Sequence, residues 1–230
     1  MSAPFPPRPR VVAIVPMRHE SERVPGKNYR PFAGRPLYHH IVSALLACPP
    51  VAEVLIDTDS PAIMADAAQH FPQARVLERP AHLRDGATPM NDVLLNVVRQ
   101  APADLYLQTH STNPLLRAAT IQSAIERLVA AYPIHDSLFA VTRLQSRLWD
   151  HLTRPINHNP AILLRTQDLP PVYEENSNLY LFTRATLEQR HNRVGERPLL
   201  FPVERLEAWD IDEEADFRIA ELIYTWRAAQ

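Results

Sequence analysis

Residues 11–28 read VVAIVPMRHESERVPGKN. The opening run Val11–Val15 is continuously apolar, the pattern of a strand buried on both faces of a sheet. A polar loop follows at once. It carries Arg18, Arg23 and Lys27, interleaves them with Glu20 and Glu22, and closes on the turn dipeptide Pro25-Gly26. A buried strand that ends in a cation-rich loop is the arrangement of an open α/β sheet, where ligands bind beyond the carboxyl ends of the strands.

The rest of the chain repeats the motif. Val54–Asp57, Val76-Leu77, Leu105–Leu107 and Phe139–Val141 read as strands. Between them, apolar residues at helical spacing (Leu37, Ile41, Leu45, Cys48; Ile63, Ala67, Phe71; Met90, Leu94, Val97, Val98; Ile121, Ile125, Leu128, Val129) predict four helices. Ser60-Pro61 supplies a cap and first turn for the second of these. The rhythm breaks over 143–171, where Pro155, Pro160, Pro170 and Pro171 interrupt it. It resumes with strands over Asn178–Phe182 and Leu199–Val203, a short helix over Ala185–Gln189 and a last helix through Phe217, Ala220, Ile223 and Tyr224. The expected fold is a three-layer α/β domain with a mostly parallel sheet. Residues 1–9 are expected to be a disordered proline-rich tail and 10–230 a single domain, with 143–171 an arm or insertion.

Composition removes several functions. A net charge of −2 over 230 residues argues against a general nucleic-acid or membrane-surface binder, so any anion site must be a local cluster. A single cysteine, Cys48, excludes an intrachain disulfide and a cysteine metal cage, and fits a reducing, cytoplasmic setting. Neither a signal-peptide pattern nor a membrane-length apolar run is present. Four glycines against 23 prolines leave no dinucleotide fingerprint. The P-loop pattern also fails, with Ser21 in place of its first glycine and Asn28 in place of Ser or Thr.

Three segments carry chemistry. The 17–28 loop suits a polyphosphate, because arginine meets phosphate oxygens bidentately and lysine supplies a mobile point charge. A solvated loop with self-paired charges is an equally open reading. In AWDIDEEADF, residues 208–217, Asp210 and Asp212 fall on one side of an extended segment. Two converging carboxylates favour a cation between them, and Mg²⁺ takes such oxygen ligands. The competing reading makes Asp212, with Glu213 and Glu214, an acidic cap for the last helix. Gln108 to Pro114 closes a strand with amides and hydroxyls that suit a base or a sugar, or an ordinary turn. His39 and His40 complete no metal spacing and read as surface or packing residues.

Taken in order, these segments resemble the acylneuraminate cytidylyltransferase family, the CMP-sialic acid synthetases and their relatives, over about residues 10–226. The family's strand-P-A-R-G-G-S-K-R-I-P-G-K-N is matched by Pro16 to Asn28, and its G-K-P-L by Gly34 to Leu37. Its S-T-D is matched by Asp57-Thr58-Asp59, and L-Q-P-T-S-P-L-R by Leu107 to Arg117. R-R-Q-D-L-P-P-V-Y-x-E-N-G resembles Arg165 to Ser177, and I-D-I-D-x-x-x-D resembles Trp209 to Asp216. The chain departs from the pattern with His19 and Glu20 for two glycines, Glu22 for lysine, Thr166 for arginine and Ser177 for glycine. The form M-R-H-x-S-E-R marks a divergent branch.

The resemblance implies a Rossmann-like nucleotidyltransferase sheet and a homodimer built through the 143–171 arm. It implies a reaction in which the anomeric hydroxyl of a 2-keto acid sugar (sialic, legionaminic or pseudaminic type) attacks the α-phosphate of CTP and releases pyrophosphate. Arg18, Lys27 and Asp212 would be catalytic. Arg18, Ser21, Arg23, Lys27, Asn28 and Asp85 would bind the nucleotide. Gln108, Arg165 and Asn176 would face the sugar, and Asp210 and Asp212 would hold Mg²⁺. Two alternatives stay open: a cytidylyltransferase for KDO, whose family usually has proline at the position of Asn28, and a non-catalytic nucleotide-binding module on the same fold. A nicotinamide oxidoreductase is disfavoured by the missing glycines.

Overall fold

The computed structural model describes residues 4–21 and 23–229; the expectation for Glu22 lies outside them. The first apolar run forms strand β1 (Val11–Met17), buried at every position. A two-residue hairpin, β2 (Pro31–Phe32) and β3 (Arg35–Pro36), leads into α1 (Leu37–Leu46). Then come β4 (Val51–Thr58), α2 (Pro61–His70), β5 (Arg75–Glu78), α3 (Met90–Gln100), β6 (Leu105–Thr109), α4 (Ala118–Ala131) and β7 (Ser137–Leu144). The chain finishes with β8 (Val172–Phe182), α5 (Arg184–Arg190), β9 (Pro198–Pro202) and α6 (Glu214–Ala228).

Seven strands make one sheet in the order β5-β4-β1-β6-β8-β7-β9. All neighbours are parallel except those of β8, which runs against both β6 and β7. The sheet is thus mostly parallel, as expected. Two apolar clusters cover its faces: one around Val11, Ala13, Val15 and Ile41, the other around Val12, Ile14, Leu94 and Phe182. Alternate residues of β1 feed opposite clusters, which is why the run had to be apolar throughout.

A third, smaller cluster (Val24, Phe32, Leu37, Ile211, Phe217 and Ala220) binds the first loop to the last helix. Phe32 meets Phe217 edge to face at 5.5 Å. This cluster positions the candidate site.

Three local features refine the sequence reading. β8 begins six residues before the expected start, and its pairing with β7 is irregular between Phe139 and Val141. Ser177, which stands where the resembled motif has glycine, takes φ +58°, a left-handed conformation that side chains disfavour. Within the proline-rich tail, Phe5 stacks on Tyr132 with ring centroids 4.1 Å apart, so the tail is tied down at that point. His39 and His40 are buried packing residues: His39 Nε2 pairs with Asp66 at 2.5 Å, and His40 Nε2 meets the Phe32 carbonyl at 3.0 Å. Tyr38 and His70 also bond Asp66, so that carboxylate is satisfied without an ion.

From 145 to 171 the only regular pieces are an isolated bridge between Trp149 and Pro155 and a 3₁₀ turn at Thr166–Asp168. This arm displays Trp149, Leu152, Ile156, Ile162, Leu163 and Leu164, with Leu163 89% exposed.

Candidate active site

The loop after β1 and the loops after β4 and β6 enclose a cleft of about 760 Å³ at the carboxyl edge of the sheet. Its walls include Arg18, Ser21, Arg23, Lys27, Asn28 and Asp85, all six residues expected around a nucleotide. Arg18 is exposed there and carries no ion pair among the described residues. The Pro25-Gly26 turn works as its sequence suggests: Gly26 takes φ +65° and starts the 3₁₀ turn Lys27–Tyr29. A Cβ on Gly26 would stand 2.9 Å from the Tyr29 ring.

The 17–28 loop is braced from below. The His19 backbone N–H donates to Asp59 Oδ1 at 2.7 Å, and the His19 ring meets Ser60 Oγ at 2.7 Å. Asn28 is buried, and both ends of its amide are engaged: Nδ2 donates to the Arg18 carbonyl at 2.8 Å and Oδ1 accepts from Ser111 Oγ at 2.6 Å. Asn28 therefore holds the loop's shape as well as lining the cleft. Arg79, Asp59, His110 and Thr112 also line it. The sequence reading did not single out Arg79; its charge lies in a short ERP turn with no motif around it. Arg79 pairs with Asp57 in full burial, Nε to Oδ2 at 2.7 Å.

The acidic segment 209–212 meets this loop at the cleft's edge. Lys27 Nζ donates to the Ile211 carbonyl at 2.7 Å. Arg23 Nη2 pairs with Asp212 Oδ1 at 2.6 Å. The Ile211 N–H in turn donates to the Thr112 carbonyl at 3.0 Å, fixing the segment to the loop after β6. Burial lowers the pKa of Lys27, while Asp210 and Asp212 oppose that shift. Burial raises the pKa of Asp210; Thr112 and Lys27 pull it back and Asp212 adds to it.

Of the three acidic residues in the capping reading, one sits at the cap. Glu213 is the N-cap of α6 and forms a capping box with Asp216, which also accepts from the Asp212 N–H at 3.1 Å. The Asp212 carboxylate is thus not spent on the cap; it pairs with Arg23 at the cleft's edge. Asp210 Oδ1 is buried with no hydrogen-bond partner. An orphaned, buried carboxylate oxygen beside a second carboxylate is a donor set that fits a hard divalent cation.

The three residues expected to face a sugar are not gathered in the cleft wall. Gln108 is fully buried, and its amide lies between Arg193 (Nη1 to Oε1, 2.6 Å) and His110 (Nε2 to Nε2, 2.8 Å). Asn176 donates to Thr142 Oγ1 at 3.1 Å and accepts from the Asn178 N–H at 3.2 Å, on β8. Arg165 lies on the arm, paired with Asp168 at 2.7 Å. Within one chain these positions are separate.

Residues 12–221 match the family model described as "Cytidylyltransferase". The chain belongs to the cytidylyltransferase family. The chain is 27% identical over 229 residues to a CMP-N,N'-diacetyllegionaminic acid synthase of Legionella pneumophila, covering 92% of this chain and 95% of that protein. It is 28% identical to a 3-deoxy-manno-octulosonate cytidylyltransferase of Escherichia coli, over only 51% of this chain and 45% of that one. In fold it resembles a CMP:2-keto-3-deoxy-manno-octonic acid synthetase complexed with CTP. That likeness has a TM-score of 0.71 at 15% identity and covers 95% of this chain and 99% of the other. The chain thus shares the fold of that synthetase, a mostly parallel α/β sheet. No helix among its described residues is long and apolar enough to cross a membrane.

Proposed function

We propose that the protein transfers the cytidylyl group of CTP to a 2-keto acid sugar of the sialic, legionaminic or pseudaminic type, giving a CMP-sugar and pyrophosphate. The observation that carries the reading is the meeting of Lys27 with the 209–212 segment, 2.7 Å from Nζ to the Ile211 carbonyl. It puts cations and paired carboxylates on one rim of a cleft large enough for a nucleotide. The choice of sugar follows the relatives: the one named for a legionaminic acid aligns over nearly the whole chain, the one named for an octulosonate over half.

Arg18 and Lys27 bind the triphosphate and stabilise charge that develops at the α-phosphate and on the leaving pyrophosphate. Reactions of this type depend on positioning and preorganised charge. Arg23, Ser21 and Asp85 complete the nucleotide's polar surround, and Asn28 keeps the loop rigid. Asp210 and Asp212 would hold Mg²⁺. When bound, the metal neutralises phosphate oxygens and favours the attacking hydroxyl. The Arg23–Asp212 pair is half-exposed on both sides, and pairs of that kind are worth little. Asp212 can therefore exchange Arg23 for a ligand at small cost.

The six large apolar side chains exposed between Trp149 and Leu164 support a homodimer, since so much exposed apolar surface in one short segment marks an interface. Arg165 sits on that arm and would reach the neighbouring subunit's sugar site. The single cysteine is free and buried, which supports a reducing, cytoplasmic setting.

The experiment is pyrophosphate release from CTP and Mg²⁺ with a panel of eight- and nine-carbon keto acids. Turnover with a nonulosonic acid is expected. Turnover with KDO alone would reassign the substrate, and CTP binding without turnover of any member would make the chain a nucleotide-binding module.

A further inference from the structure

Gln108, Arg193 and His110 form a relay that runs from the sheet to the cleft wall. Gln108 lies on β6 opposite Tyr180 of β8. Arg193, in the loop after α5, stacks its guanidinium 3.6 Å over the Tyr180 ring and donates to Gln108 Oε1 at 2.6 Å. Its backbone is held by Asn91, whose Oδ1 accepts the Arg193 N–H at 3.3 Å. The other end of the Gln108 amide meets His110 Nε2 at 2.8 Å, and His110 lines the cleft that also contains Lys27.

The chemistry of these groups fixes their orientations. A guanidinium has donors and no acceptor, so Gln108 must turn its oxygen to Arg193 and its NH₂ to His110. His110 Nε2 must then accept, and the ring proton sits on Nδ1. A protonated ring would set N–H against N–H. Burial pushes the His110 pKa down to about 3, with Arg193 and Lys27 adding to the effect. Nδ1 has no hydrogen-bond partner among the described residues. The relay thus leaves Nδ1–H of His110, a residue of the cleft wall, as a neutral donor with no partner among the described residues.

We propose that Arg193 is a positioning residue: acting through Gln108, it holds His110 in the Nδ1–H form so that this N–H donates to an anionic substrate oxygen in the cleft. The shared chemistry is an anionic oxygen, from a phosphate of the nucleotide or from the carboxylate of the keto acid. The proposal rests on the assigned reaction only for naming those two sources.

The test compares wild type with Arg193→Met, which keeps an apolar chain over Tyr180 but removes the donors, and with Arg193→Lys, which restores a donor-only group. The ¹⁵N signals of the His110 ring are read at pH 7, and dissociation constants for CTP and for N,N'-diacetyllegionaminic acid are measured by calorimetry. Wild type should show a protonated Nδ1 and a bare Nε2. Arg193→Met should mix the two tautomers and weaken one ligand about tenfold while the other stays within twofold. Weakened CTP assigns the phosphate, and weakened acid assigns the carboxylate. Arg193→Lys should recover the tautomer and most of the affinity. An unchanged ring in Arg193→Met, or an altered ring with both affinities intact, overturns the proposal. Both readouts are taken without turnover, so absent pyrophosphate release in wild type would sink the assigned reaction and leave this test standing.

Discussion

Arg23 and Asp212 lie 189 positions apart in the chain and meet at 2.6 Å on the rim of the cleft. Beneath them, Lys27 reaches the carbonyl between the two aspartates. The contacts above are polar and partly wet. What holds them is the packing below, where Val24 and Phe32 from the first loop bury against Ile211 and Phe217. Opposite charges are thus delivered to one place by an apolar cluster, at about 1.5–3 kcal/mol for each large side chain buried.

Lys27 is the first position to test. Lys27→Ala should lower turnover by about 100-fold or more, the scale of losing one group that stabilises a developing oxyanion. The far-UV spectrum should stay unchanged, because the lysine is half-buried at the surface of the loop. Wild-type turnover in that variant would remove Lys27 from the chemistry.

Asp210 and Asp212 should separate from helix capping. Asp210→Asn and Asp212→Asn are each expected to shift the Mg²⁺ concentration for half-maximal activity upward by about tenfold, the effect of losing one charged ligand. Glu213→Ala, at the cap of α6, should instead cost about 1 kcal/mol of stability with the Mg²⁺ titration unmoved. Identical Mg²⁺ curves for all three variants would return the aspartates to a structural role.

The Asp57–Arg79 pair predicts a stability defect at the floor of the cleft. Both side chains are at most 3% exposed, and Asp57 Oδ1 has no partner besides. Arg79→Ala would leave a buried carboxylate alone and should destabilise by about 3–5 kcal/mol. A urea midpoint within error of wild type would show that water reaches Asp57. Arg79→Met with Asp57→Asn together should recover much of the loss.

Acid should weaken the fold through His40. Burial lowers its pKa to about 4 from an ordinary 6.5, opposed by its bond to the Phe32 carbonyl. Protons then bind the unfolded chain more tightly than the folded one. The neutral ring's contribution is complete above about pH 6.5 and is lost as pH falls toward 4, by roughly 3 kcal/mol in all. Urea midpoints across that window should fall with pH in wild type and fall less in His40→Gln. Parallel slopes for the two proteins would exclude this residue as the source.

The arm predicts assembly. Leu163 projects almost wholly into solvent. Leu163→Asp should weaken self-association by tenfold or more, equivalent to about 1.4 kcal/mol, in sedimentation equilibrium. A wild type that sediments as a monomer at micromolar concentration would leave the arm's apolar face unexplained.

Local pattern alone was enough for much of this molecule. The run Val11–Val15 could only be a strand covered on both faces, and the alternation that follows it dictates a mostly parallel sheet. The order of the short motifs identified the family, because each motif is a local requirement of backbone or charge: Gly26 for a left-handed turn, Lys27 beside it, Asp210 and Asp212 two residues apart. Three-dimensional packing decided the rest. It set the cap of α6 at Glu213, the middle one of the three acidic residues, because the cap is set by where α6 begins. It buried Gln108 between Arg193 and His110, contacts that no spacing in the chain records. It kept Arg165 and Asn176 away from the cleft of their own chain and set Arg79 into its floor. Periodicity and turn chemistry act between near neighbours, so they can be read along the chain. Which side chains share a proton or a charge depends on elements brought together by burial, and that is fixed only when the whole chain has folded.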